Sequence, residues 1–150
     1  MHEGTRLGLD PEMKLGCLKV WILGRQFEDA QDYWDGNWLA VEALCQSGRS
    51  RVAAKGPILH LSELSAFRDS LRILDKTLKG EAELNCVEPN LHIKLASSGS
   101  RGHIESRIEL TPDHMLERHE FRETFDQTYL AELLRDLDHV LRKYPIRSPR

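Results

Sequence analysis

The sequence predicts a two-layer α+β domain: an antiparallel sheet of about six or seven strands with two amphipathic helices packed on one face. Three observations predict it. Two segments repeat their apolar residues with helical period, much of the remainder alternates apolar and polar residues, and turn-forming residues separate the alternating runs. The chain has 150 residues, which suits one domain burying roughly 68–70% of its extended surface. That domain is expected over residues 14–146, between a poorly ordered lead-in (1–13) and a polar tail (147–150).

The lead-in from Met1 to Met13 has neither the basic start nor the apolar core of a secretory signal. Leu15 to Leu23 and Trp38 to Cys45 read as the first two strands, the second turning at Ser47-Gly48 into a strand near Arg51 to Ala54. A helix over about 62–79 follows from Leu61, Leu64, Phe67, Leu71, Leu74 and Leu78, with Ser62 placed to cap it and Gly80 to close it. Period-two alternation then runs through Ala82-Leu84-Cys86, Leu91-Ile93-Leu95, Ile104 to Leu110 and Phe121 to Phe125, the strands of a sheet wet on one face. Glu88-Pro89-Asn90, Ser97 to Gly102 and Thr111-Pro112-Asp113-His114 supply reversals, so consecutive hairpins are expected. A last helix starts at Asp126, buries Leu130, Leu133, Leu134, Leu137, Val140 and Leu141, and stops before Pro145 near Tyr144, with Phe125 able to staple against Leu130.

Charge suggests the register. A turn at Pro112-Asp113 that places Glu109 opposite Arg118 also places Arg107 opposite Glu120 and Glu105 opposite Arg122; across Pro89-Asn90, Glu83 falls against Lys94. Opposite-sign cross-strand pairs contribute roughly 0.2–1 kcal/mol each.

Composition narrows the function. With 40% hydrophobic and 30% charged residues the chain reads as globular. No apolar run approaches the roughly 18–20 residues that span a bilayer, and a cytoplasmic location without membrane contact is expected. A net charge of −3 with interspersed signs gives no basic footprint for nucleic acid and permits a basic protein partner. The three cysteines, Cys17, Cys45 and Cys86, suit reduced, buried thiols better than a disulfide framework.

No set of residues has the spacing of a catalytic or cofactor site, and none is assigned. His92, His103 and Glu105 share the polar face of neighbouring strands and would converge on a metal only in some registers; exposed strand histidines are the simpler reading. His114 and His119 lack the helical spacing of HExxH, and His60 and His139 read as boundary or surface residues. There is no GxSxG elbow for a nucleophile and no glycine-rich phosphate loop. The densest segment runs from Phe27 to Trp38, where Glu28, Asp29, Asp32 and Asp35 alternate with Phe27, Tyr33, Trp34 and Trp38. Two readings stay open. In one, Asp35-Gly36 is a hairpin turn, Trp38 packs inside and the acids solvate the loop. In the other, Asp32, Tyr33, Trp34 and Asp35 form a binding patch, aromatic anchors ringed by carboxylates that attract a basic partner.

Taken in order, Asp32-Tyr33-Trp34-Asp35-Gly36-Asn37-Trp38-Leu39, Gly80-Glu81-Ala82-Glu83-Leu84 with Glu88-Pro89-Asn90-Leu91, Gly102-His103-Ile104, and Asp126-Gln127-Thr128-Tyr129-Leu130 ending at Tyr144-Pro145 resemble the WapI-like family of bacterial immunity proteins. The resemblance runs from about residue 15 to 146, and the segment after Thr111 departs from it. It implies a non-enzymatic cytoplasmic protein that binds and neutralises a cognate toxin domain, a nuclease being one candidate. Two other classes compete: a subunit that self-associates as a homodimer through a sheet edge, and a small metal-dependent hydrolase built on His92, His103 and Glu105.

Overall fold

The structure, a computed structural model, describes residues 6–99 and 102–149. The expected class holds: among the described residues there are eight antiparallel strands and two α-helices. The strands are divided between two sheets. Strands β1 (Met13–Leu15), β2 (Leu18–Arg25), β3 (Trp38–Ser47) and β4 (Ser50–His60) form the first in that order; β5 (Glu81–Asn85), β6 (Leu91–Ser97), β7 (His103–Leu110) and β8 (Glu120–Asp126) form the second. The helices are α1 (Leu61–Thr77) and α2 (Thr128–Lys143). They pack on each other, α1 also against β5 and α2 against β1, so each covers one edge strand. The opposite edges are blunted, β4 by Gly56 and Pro57 beside a bulge and β8 by its charged residues. The apolar faces of both sheets and both helices share one core, from Leu15 and Val41 through Phe67 and Leu71 to Ile93, Ile108 and Leu133.

The strand expected over Leu15 to Leu23 is interrupted. Gly16, at φ +56°, and Cys17 make a tight turn between β1 and β2, pairing Leu15 with Leu18. Nor is β3 wet on one face, because all residues from Trp38 to Cys45 are buried. Of the lead-in, residues 1–5 lie outside the described residues. From Arg6 onward it is tied to the outer face of the first sheet: Arg6 N donates to Glu42 Oε1 (2.8 Å), Trp21 Nε1 donates to Leu9 O (2.9 Å), and Ile22 N donates to Glu12 Oε2 (2.9 Å). Trp21 is left 2% exposed. Deleting residues 1–12 should therefore uncover Trp21, cost roughly 1–3 kcal/mol, and add an acrylamide-accessible tryptophan in a quenching titration. Unchanged quenching would mean another part of the chain covers the ring.

Register was half legible in charge. Glu83 does face Lys94. In the β7–β8 pair, however, Glu109 faces Glu120 and Arg107 faces Arg122, two residues from the expected alignment. The connection is longer than a tight turn, since Asp113 O accepts from both Leu116 N and Glu117 N. Charges are matched diagonally instead: Arg107 reaches Glu120 (3.4 Å), and Arg118, from the loop, reaches Glu109 through Nε (2.6 Å).

The cap of α1 is His60, not Ser62. Its ring accepts from Ser62 N (3.3 Å) while Glu63 Oε1 accepts from His60 N (2.9 Å), a capping box with histidine in the usual serine position. The left-handed residue at the other end is Leu78 (φ 53°), ahead of Gly80.

Candidate functional site

Residues 26–37 join β2 to β3, so Asp35-Gly36 is not a two-residue hairpin turn but belongs to a 3-10 turn, Asp35–Asn37, within a longer loop. Asp32 starts it: its Oδ2 accepts from Asp35 N (2.8 Å) and its carbonyl from Gly36 N (3.0 Å). Gly36 is required there because a Cβ would meet Ala30 O at 2.7 Å.

Asn37 fastens the loop from beneath. Fully buried, it donates from Nδ2 to Tyr33 O (2.7 Å) and Arg147 O (2.9 Å), and its Oδ1 accepts from Arg147 N (2.8 Å) and Arg25 Nη1 (3.3 Å). Arg25, buried in β2, also donates to the carbonyls of Gly36 and Pro145. Burial lowers its pKa from the ordinary arginine value, and the charge of Arg147 lowers it further. Arg147 Nη1 reaches the carbonyls of Glu28 and Ala30 (2.7 Å each), and Ser148 Oγ donates to Gln31 O (2.6 Å). The carboxy-terminal segment thus clasps the loop from the other side. Composition alone gave no hint of this, because hydrogen bonds to carbonyls leave no sequence pattern.

Above this base the aromatic side chains gather on His60. Trp34 stacks on its ring (centroids 4.9 Å, 26° between planes), Trp38 meets it edge-on (5.0 Å) and Tyr33 is tilted against it (5.6 Å). His60 Nδ1 accepts from Ser62 N, so Nε2 carries the proton and donates to Trp34 O (3.0 Å). His60 is thus a buried hub rather than a surface residue, set at the boundary between β4 and α1. Its signal in the sequence is the spacing to Glu63, which fits a capping box. Trp38 is inside, Tyr33 half-buried, and Trp34 and Phe27 are each 48% exposed. Glu28, Asp29, Asp32 and Asp35, on the same loop, are all exposed. Trp38 therefore packs in the interior, while Trp34 faces solvent on a loop whose carboxylates are also exposed.

His92, His103 and Glu105 do not converge. His92 lies opposite Glu109, four residues from Glu105 along β7 and six from His103, which is about 13 and 20 Å of strand. The His92 ring sits instead between Glu83 (2.6 Å) and Glu109 (3.5 Å). Among the described residues no three His, Cys, Asp or Glu side chains are grouped to hold a metal. A depression of about 560 Å³ on the second sheet is lined by charged residues of both signs, including Lys94, Glu105, Arg107 and Arg122, with no nucleophile positioned against a base. All three cysteines are free. A hydrogen bond with Cys17, then burial, raises the pKa of Cys45, and burial raises that of Cys86, which keeps both as protonated thiols. No helix among the described residues is long and apolar enough to cross a membrane.

The family model for the immunity protein WapI-like family matches residues 12–145. No curated protein and no solved structure matches the chain.

Proposed function

We propose that this chain, which belongs to the immunity protein WapI-like family, neutralises a toxin domain by covering part of its surface, with the loop around Trp34 as part of the contact. The observation that carries this reading is the half-exposed indole of Trp34, held on a hydrogen-bonded loop that also exposes Glu28, Asp29, Asp32 and Asp35. A large aromatic fixed at low entropic cost is the usual anchor of a protein interface, and a rim of one charge speeds encounter with a partner of the other. A nuclease, whose substrate groove is basic, suits such a rim. Inhibition of this kind needs no reactive group of its own, and in our reading the complex forms in the cytoplasm.

The test screens candidate toxin domains cloned from the genes neighbouring this one, with binding rates measured at several salt concentrations. Asp32 should be changed to Asn, which keeps the acceptor for the Asp35 amide, together with Asp35→Asn. This pair should slow association about tenfold at low salt and flatten its salt dependence. Trp34→Ala should speed dissociation by about tenfold or more. Wild-type rates in both variants would remove the loop from the interface; a wild-type protein that neither binds nor protects would remove the function.

A further inference from the structure

The β7–β8 connection, residues 111–119, carries the two most exposed large apolar side chains described, Met115 at 80% and Leu116 at 84%. It is nevertheless well fastened. Asp113 Oδ1 accepts from Met115 N (3.0 Å), Thr111 Oγ1 accepts from His119 N (3.1 Å), and Arg118 is held by Glu109. Asn90, in the neighbouring β5–β6 loop, donates from Nδ2 to Thr111 O (2.9 Å) and Pro112 O (3.2 Å). The same β5–β6 loop exposes Val87 at 65%. Folding gains nothing from apolar side chains fixed in water, whereas a partner that buries them gains their full hydrophobic transfer.

These loops join the Trp34 site through a continuous set of bonds. Val87 N donates to Glu63 Oε2 (2.7 Å), Glu63 Oε1 accepts from His60 N (2.9 Å), and His60 Nε2 donates to Trp34 O (3.0 Å). The β5–β6 loop and the Trp34 loop thus both attach at the amino-terminal end of α1, and the β7–β8 loop attaches to the β5–β6 loop through Asn90. The charge beside the apolar residues also has the sign seen around Trp34: Glu88, Asp113 and Glu117 are exposed, and the guanidinium of Arg118 is matched by Glu109.

We propose that Val87, Met115 and Leu116 form a second anchor on the toxin-facing surface, seated in an apolar depression of a partner that is basic around it. This rests on the function proposed above. A contact patch of standard size covers about 800 Å² on each partner, and the two anchors together would give it an apolar group at either side with acidic residues between and around them.

The 150-residue chain, its Met115→Ser/Leu116→Ser variant and its Val87→Ser variant are compared in binding to the same candidate toxin domains. Hydrogen exchange of the wild type is followed with and without the domain that binds. The double variant should lose at least tenfold in affinity, mainly through faster dissociation, with an unchanged melting temperature; amides of 86–90 and 113–117 should gain protection in the complex. If the wild type binds and Trp34→Ala weakens it while the double variant binds normally and these amides gain no protection, the second anchor is overturned and the function stands. If the wild type does not bind, both fall. A wild-type dimer in sedimentation that the double variant dissolves would assign this face to self-association and overturn the proposal.

Discussion

Asn37→Ala is expected to destabilise the fold by about 3 kcal/mol, because it leaves several buried polar groups without their partner at once. The amide gives two donors and one shared acceptor to Tyr33 O, Arg147 O, Arg147 N and Arg25 Nη1. No water replaces it easily, since the residue is fully buried. For a chain of this size that cost lowers the melting temperature by roughly 6–12 °C. The loss should also be visible as faster hydrogen exchange through residues 28–36, since the clasp on that loop opens. A destabilisation below about 1 kcal/mol would mean that Arg25 and Arg147 hold the loop without it. Binding should weaken with stability, because Trp34 would then have to be ordered at the moment of contact.

Gly16→Ala should cost roughly 2–4 kcal/mol through two separate effects. At φ +56° an L-residue is strained, and a Cβ there would lie 2.5 Å from Glu123 Oε1 and 2.6 Å from Phe125 Cζ. Those neighbours are not free to retreat: Glu123 Oε1 accepts from Cys17 N (2.9 Å), and Phe125 stacks on Tyr129 (5.0 Å). Gly48 separates the two effects. It has φ +58° but nothing within 4 Å of its missing Cβ, so Gly48→Ala should cost only about 1 kcal/mol. Urea unfolding of both variants decides the matter. Equal midpoints would show that β8 yields to the added methyl and that strain alone is felt.

The helices were the most legible part of the sequence because burial repeats along them: Leu64, Phe67, Leu71 and Leu74 in α1, and Leu130, Leu133 and Leu137 in α2, are all buried. The strands were legible one at a time. Alternation does not record which strands share a sheet, so the division after α1 was out of reach. The β7–β8 register failed for a definite reason. Alignments two residues apart keep every side chain on its own face, and long arginine side chains can reach a carboxylate diagonally, as Arg107 does to Glu120. The acidic and aromatic loop was visible as a dense run of residues, but its supports were not. Asn37, Arg25 and Arg147 act through backbone carbonyls from 110 or more residues away in the case of Arg147, and such partners have no local signature. Met115 and Leu116 carry no such signal, because an apolar pair in a loop matches neither a helical nor a strand period.

Glu63 has one oxygen on the amide of His60 and the other on the amide of Val87. A carboxylate is planar and its oxygens keep a fixed separation, so it works as a two-pronged fork set in the first turn of a helix. When one prong shifts, the other must follow or let go. Two stretches of chain that are distant in sequence are thereby kept in step, and an approaching molecule meets them as one template rather than two wandering fingers.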